Sequence, residues 1–155
     1  MYSIGLDKVN QDGYALRFVP KELRDYNICM TAVKQNGNAL RFVSKELPEY
    51  KDICITAVKQ DRYALKYVPE ELPEYKDICM AAVKQNGRAL HSVPEELRDY
   101  SICMAAVTQN GGLLYLVPKG LRDYNMCMAA VKQSGDALFS VPRELRSRIR
   151  EELGL

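Results

Sequence analysis

Apolar and polar positions along this chain recur as one short pattern. The run Ile28-Cys29-Met30-Thr31-Ala32-Val33-Lys34-Gln35-Asn36-Gly37 returns, with small changes, from Ile53, Ile78, Ile102 and Met126, and in degenerate form from Ile4 to Gly13. The starts, near 4, 28, 53, 78, 102 and 126, lie 24 or 25 residues apart, so six units cover Ser3 to Leu145. Self-similarity at a fixed period of this size signals a stacked repeat array. The two longer intervals hold linkers reading Pro48-Glu49-Tyr50-Lys51-Asp52 and Pro73-Glu74-Tyr75-Lys76-Asp77, whereas the shorter ones carry Arg-Asp-Tyr, as in Arg24-Asp25-Tyr26.

Each unit reads as two short helical pieces joined by a turn. Ser3, Asn27, Asp52, Asp77, Ser101 and Asn125 precede the first piece and are predicted N-caps, because their side-chain oxygens can accept an orphan backbone N–H. In the second unit Ile28 and Ala32, and likewise Cys29 and Val33, are four apart and share a face. Gly13, Gly37, Gly87, Gly111 and Gly135 are predicted to carry the chain out of the helix through a left-handed residue. The second piece holds Leu40, Val43 and Leu47 on one stripe. Proline interrupts it at Pro20, Pro69, Pro94, Pro118 and Pro142, with Ser44 in the remaining unit. The reading is a very short helix and then a new turn, 3₁₀ in character, starting at Pro-Glu-Glu-Leu or Pro-Lys-Glu-Leu. A continuous, kinked helix is the alternative.

Neither piece reaches the ~12–15 residues at which an isolated helix becomes marginally stable in water. Stacking must hide the apolar faces, which predicts an all-α, right-handed short-helix solenoid of six ~24-residue helix-turn-helix repeats with polar terminal caps. Gly5 and Lys8 replace the Cys and Ala of later units, as a terminal helix with no preceding neighbour permits. Leu145, Ile149 and Leu153 predict a closing helix over 146–155. With no long linker, residues 1–155 read as one domain.

Composition narrows the functional classes. With 47% hydrophobic and 27% charged residues, the chain of 155 residues can bury a core. A net charge of +2, from 22 basic and 20 acidic residues, lacks the basic excess of an electrostatic nucleic-acid binder. No run approaches a membrane span, and Met1 to Asp7 lacks a basic n-region and an apolar h-region, so neither a span nor a secretory signal is expected.

The stretches Lys34-Gln35-Asn36-Gly37-Asn38-Ala39-Leu40 and Lys84-Gln85-Asn86-Gly87-Arg88-Ala89-Leu90, each followed by a Glu-Leu pair, resemble an uncharacterised tandem repeat. That family, a domain of unknown function, occurs in bacterial, amoebal and large-virus proteins. The resemblance spans about the whole chain and implies an all-α scaffold. It supplies no catalytic or binding residues, and the recurrent proline departs from it.

Cys29, Cys54, Cys79, Cys103 and Cys127 occupy one position in five units. Stacked helices lie ~8–10 Å apart, beyond the ~7 Å Cα limit of a disulfide, and a line of thiolates cannot converge on zinc. They read as small buried hydrophobes in a reduced, cytoplasmic setting. Tyr26, Tyr50, Tyr75, Tyr100 and Tyr124 form a linker ladder, read as rings covering the seams with hydroxyls at the surface. Glu22, Glu46, Glu71, Glu96 and Glu144 read as a solvated face, and His91 as an exposed variable residue. The sequence shows no metal set, cofactor motif or acid–base constellation, so no enzyme is expected.

Positions that vary between units are free of stacking duty. Three such columns follow the glycine: Tyr14, Asn38, Tyr63, Arg88, Gly112, Asp136; Arg17, Arg41, Lys66, His91, Tyr115, Phe139; and Phe18, Phe42, Tyr67, Ser92, Leu116, Ser140. Aromatic and basic side chains, enriched at binding hot spots, recur there. The candidate partner-binding residues are Tyr115, Leu116, Phe139, His91, Tyr67, Tyr63, Arg62, Phe42, Arg41 and Arg88. Arg62 replaces the expected left-handed glycine and so reads as strained or selected for contact. The uncharged run Gly111 to Val117 reads as a partly exposed apolar patch. The competing reading of these columns is an ordinary solvent face. The expected function is a non-catalytic scaffold for a protein partner, monomeric or weakly self-associating. The alternatives are a small inhibitor or effector from a virus or mobile element that acts by occlusion, and a nucleic-acid-binding repeat array.

Overall fold

The computed structural model describes residues 2–155, with side chains from Leu6 onward. The expected cap at Ser3 and the glycine at Gly5 lie outside the described side chains. Among the described residues there is no strand. Seven α-helices follow in order: α1 Tyr2–Gln11, α2 Tyr26–Gln35, α3 Tyr50–Gln60, α4 Tyr75–Gln85, α5 Tyr100–Gln109, α6 Tyr124–Gln133 and α7 Arg143–Leu153. After each of the first six comes a six-residue 3₁₀ segment: Gly13–Phe18, Gly37–Phe42, Arg62–Tyr67, Gly87–Ser92, Gly111–Leu116 and Gly135–Ser140. The fold is an all-α repeat solenoid built from α and 3₁₀ rows.

Two compact units divide the chain, Met1–Ala82 and Val83–Leu155. In the first, α1 packs on α2 and α2 on α3, while its three 3₁₀ segments pack in a row. In the second, α5 packs on α6 and α6 meets α7, again beside a row of 3₁₀ segments. Each α-helix buries one stripe, such as Ile28, Cys29, Ala32 and Val33 of α2. The 3₁₀ segments add Ala39 and Leu40 or their equivalents, and the valine after each segment closes the layer. Burying each Leu or Ile contributes roughly 1.5–3 kcal/mol.

The α-helices begin two residues earlier than the cap pattern predicts in α2, α5 and α6, and three earlier in α3 and α4. Asp25, Asp99 and Asp123 are the N-caps, their carboxylates accepting from the backbone N–H of Ile28, Ile102 and Met126. Asn27, Ser101 and Asn125 lie inside the first turn. A carboxylate also complements the helix dipole better than a neutral amide or hydroxyl, which is why the upstream Asp prevails. In α3 the cap position is Glu49, which makes no side-chain cap, and Asp52 sits inside the first turn. In α4 Asp77 is likewise inside. The linker tyrosines are therefore the first helical residues.

The helices do not leave through left-handed glycine. Asp12, Asn36, Asp61, Asn86 and Asn110 turn the chain in extended geometry, Asn36 at φ −150° and ψ 106°, and their side chains accept from the N–H two residues on. The Asx turn starts the 3₁₀ segment by local side-chain bonding. The only positive-φ residue described is Gly154 at 66°, which ends α7. Arg62 therefore carries no left-handed strain. Glycine is needed instead for close approach: a Cβ on Gly37 would lie 2.4 Å from the Ala57 carbonyl oxygen, and one on Gly111 would lie 2.0 Å from that of Ala130.

Proline separates the two parts of the second piece. Val19, before Pro20, is extended at ψ 129°, as the pyrrolidine ring demands of its predecessor. Pro20, Pro94 and Pro118 then open three-residue 3₁₀ turns, Lys21–Leu23, Glu95–Leu97 and Lys119–Leu121. The second piece is broken as expected, but the new turn is 3₁₀ only after Pro20, Pro94 and Pro118, and the chain forms plain turns after Ser44 and Pro69. Pro142 instead opens α7, so the closing helix starts three residues ahead of the expected 146 and its regular part stops at Leu153.

Gly111 and Gly135 occupy equivalent positions with opposite surroundings, since nothing lies within 4 Å of a Cβ on Gly135. Gly111→Ala is expected to destabilise the chain by about 1–3 kcal/mol through overpacking. Gly135→Ala is expected to be neutral or to stabilise by about 0.4–1 kcal/mol through the unfolded state. Urea denaturation of the two variants checks the pair.

Candidate interaction face

The 3₁₀ row is held by side chains that the repeat pattern marked only as linker or surface residues. Arg24 donates from Nε to the Val19 carbonyl at 2.8 Å, and from its two terminal nitrogens to Phe42 at 2.7 Å and Arg17 at 3.3 Å. Arg122 repeats the set on Val117, Ser140 and Tyr115 at 2.8–3.0 Å. Arg98 binds Val93 and Leu116, and Arg146 binds Val141 and Phe139. The guanidinium of Arg24, Arg98 or Arg122 thus ties the carbonyl end of its own 3₁₀ segment to the next, a use that needs the rigid five-donor fork, whereas Arg146 binds its own segment.

Pro48 and Pro73 stand where these arginines would be, and those linkers solve the packing differently. Tyr50 and Tyr75 are buried, at 4% and 5% exposure. The Tyr50 hydroxyl bonds Cys54, and burial raises its pKa above the usual phenol value. Tyr26 and Tyr124 are half-buried and Tyr100 is exposed. The expectation of surface hydroxyls at every seam fails at Tyr50, because without the arginine the ring itself fills the space.

A second tie joins successive units. Gly37 N–H donates to Gln60 Oε1 at 2.6 Å, while Gln60 Nε2 donates to the Gln35 carbonyl at 3.3 Å. Gln109 does the same between Gly87 and Val83, and Gln133 between Gly111 and Gln109. The recurrence of Gln after Lys or Thr was the available signal for this bond.

All five cysteines are buried and unpaired. Burial, the largest cause, pushes the thiols of Cys103 and Cys127 up to about 11. Neutral thiols of this kind are inert as nucleophiles at neutral pH. Their Sγ atoms bond the Arg98 and Arg122 carbonyls at 3.5 Å.

Against this frame the variable columns form a separate cluster in each compact unit. In the first, the Arg41 guanidinium lies 5.3 Å from the Phe42 ring centroid and 5.7 Å from that of Tyr67, and it donates to the Tyr14 hydroxyl at 3.2 Å. Tyr14 meets Phe42 edge-on at 5.1 Å. Arg17 covers Phe18 at 4.4 Å, Lys66 covers Tyr67 at 4.8 Å, and Arg62 bonds the Tyr63 hydroxyl and covers its ring at 4.1 Å. Tyr14, Arg17 and Phe18 extend the candidate set at its N-terminal end, and Phe18 is 70% exposed.

In the second unit His91 meets Tyr115, ring to ring at 6.1 Å and Nε2 to hydroxyl at 3.4 Å. Phe139 is 85% exposed, Leu116 is half-buried, and Arg88 is exposed without a ring or ion-pair partner among the described residues. The expected apolar patch is smaller than its uncharged run suggests. Leu113, Leu114 and Val117 are core, because a 3₁₀ segment turns only part of its circumference outward.

Among the described residues, no group of three or more His, Cys, Asp or Glu could hold a metal ion, and no helix is long and apolar enough to cross a membrane.

Arg122→Lys keeps the charge and loses the fork. It is expected to cost about 1.5–3 kcal/mol in urea denaturation, with helicity by circular dichroism retained. The raised thiol pKa values set a second expectation. A folded state that holds its thiol protons more tightly keeps that stabilisation below the unfolded value and loses it as pH rises toward about 11. Stability should therefore fall across the alkaline range up to that pH, and the fall should be shallower in Cys103→Ala/Cys127→Ala, measured by urea melts at stepped pH.

Comparison with curated proteins and with solved structures finds no match. Comparison with protein families matches residues 6–48, 50–98 and 99–146 to the domain of unknown function DUF4116. Each match spans two of the short units read from the sequence, so six α/3₁₀ units make three tandem copies of the family module. These copies take in nearly all of the repeat array, and the chain belongs to the DUF4116 family.

Proposed function

We propose that the chain is a non-catalytic interaction scaffold that binds a protein partner through the outward sides of the 3₁₀ rows of its two compact units. The observation that carries this reading is the coincidence of exposure and rigidity. Phe18 at 70%, Tyr115 at 54% and Tyr63 at 53% exposure stand on 3₁₀ segments started by Asx turns, and Phe139 at 85% stands on a segment whose carbonyl is held by Arg146. Large aromatic groups on a fixed frame lose little conformational freedom on association, which favours hot-spot binding. Five unpaired thiols in the core support a reducing, cytoplasmic compartment for the scaffold. A narrower form of the same reading is an inhibitor or effector that occludes the protein it binds.

The test is affinity capture with the tagged full chain followed by quantitative mass spectrometry. Tyr115→Asp and Phe139→Asp should each reduce the captured partner at least about tenfold, equivalent to ~1.4 kcal/mol. Thermal melting should stay unchanged, because both side chains are exposed. A matched fall in melting temperature would show these side chains to be structural and would defeat the proposal.

A further inference from the structure

The two compact units differ in the charge of their 3₁₀ rows. In Met1–Ala82 the three segments carry Arg17, Arg41, Arg62 and Lys66 and no acidic residue. In Val83–Leu155 the corresponding segments carry Arg88 and His91 against Asp136. Among the described residues none of the four cations of the first unit has a carboxylate partner. They lie instead over aromatic rings, Arg41 bridging the unit before it through Tyr14 and the unit after it through Tyr67. Cations held over rings and lacking counter-ions are preorganised to receive anions beside an apolar contact.

Beside this ladder runs an open groove of about 760 Å³, lined by Lys21, Glu22, Arg24, Arg41, Phe42, Val43, Ser44 and Glu46. Its wall is mixed in sign. A polynucleotide, charged at every phosphate, would bring anions against Glu22 and Glu46 as well as Arg41. A peptide can set carboxylates against the cations and uncharged residues against the glutamates. The repeat interval also selects a backbone shape. Stacked helices lie about 8–10 Å apart, and a polyproline II strand advances about 9.3 Å per three-residue turn. Every third side chain of such a strand would therefore face the same column, and aromatic-lined grooves are the recurring receptor for it.

We infer that the Tyr14–Tyr67 face of the first unit binds an extended, polyproline II-like peptide segment bearing an acidic side chain at every third position, received by Arg17, Arg41 and Lys66. The inference rests on the scaffold reading and names the chemistry of its ligand.

The test uses the full chain and fluorescence anisotropy. The probes are a labelled peptide of five Pro-Pro-Glu triplets, the matching peptide of Pro-Pro-Lys triplets, and a labelled 15-nucleotide oligothymidylate. The Pro-Pro-Glu peptide should bind in a salt-dependent manner, at least about tenfold more tightly than either other probe. The triple variant Arg17→Gln/Arg41→Gln/Lys66→Gln should weaken it at least about tenfold, while Lys132→Gln, which removes an exposed cation on α6, leaves it unchanged. The three exchanged side chains are exposed, so circular dichroism should match the parent chain. No binding of the acidic peptide, equal binding by the triple variant, or tighter binding of oligothymidylate would each overturn the inference. A partner that is still captured by the triple variant but lost by Phe139→Asp would remove this inference and leave the scaffold reading standing.

Discussion

The structure depends on how closely the main chain of one unit can approach the next. At Gly13, Gly37, Gly87 and Gly111 the backbone sits so near an alanine carbonyl of the following helix that a Cβ would lie 2.0–2.9 Å from its oxygen. That approach leaves polar main-chain groups at the seam, and an unsatisfied buried N–H is expensive. The glutamine near the end of the following helix answers it, accepting from the glycine N–H and donating to a carbonyl of the earlier helix. Glycine and glutamine therefore act as one device: a side chain in place of the glycine clashes with the neighbouring main-chain carbonyl, and loss of the glutamine orphans the glycine N–H.

The 3₁₀ row faces a different demand. Six-residue 3₁₀ segments stop abruptly at an extended valine and leave carbonyls without helical partners. Where the linker is Arg-Asp-Tyr, a guanidinium reaches two or three of those carbonyls across two units, and the same linker supplies the aspartate cap of the next α-helix. In the Pro-Glu-Tyr-Lys-Asp linkers the arginine is absent and a buried tyrosine occupies the seam, and at α3 the side-chain cap is missing as well. The one-residue difference in repeat length thus separates two ways of closing the same seam, one by hydrogen bonds and one by burial.

Much of this architecture is legible in the sequence. The repeat boundaries, the buried face of Ile28, Cys29, Ala32 and Val33, and the 3₁₀ break at proline all follow from periodicity and from what proline forbids. The caps were misplaced because Asp25 and Asn27 are both good N-cap residues and propensity alone does not choose between them. The glycines were misassigned because a recurrent glycine after a helix has two physical explanations, backbone conformation and lack of space, and only the position of the neighbouring carbonyl decides. Arg24 and Gln60 escaped notice for a related reason: their partners are main-chain atoms of other units, which leave no mark in the residue pattern. Of the candidate face, the columns and their exposure were readable, whereas the bonding of Arg41 to Tyr14 and Tyr67 depended on three units meeting in register.

The division of labour within a unit explains why variation concentrates where it does. Gly37 lies too close to the Ala57 main-chain carbonyl to carry a Cβ and donates to Gln60 Oε1, so exchange at Gly37 or Gln60 is penalised. Asn38, Arg41 and Phe42 project from the same 3₁₀ segment, while its frame is held largely by main-chain bonds and the arginine tie. Their side chains can change from unit to unit while the backbone beneath them stays put. A frame whose specification lies in main-chain contacts leaves its outward side chains open to selection for charge, shape and partner. In this chain that freedom has produced a cationic aromatic row on one compact unit and a nearly neutral one on the other.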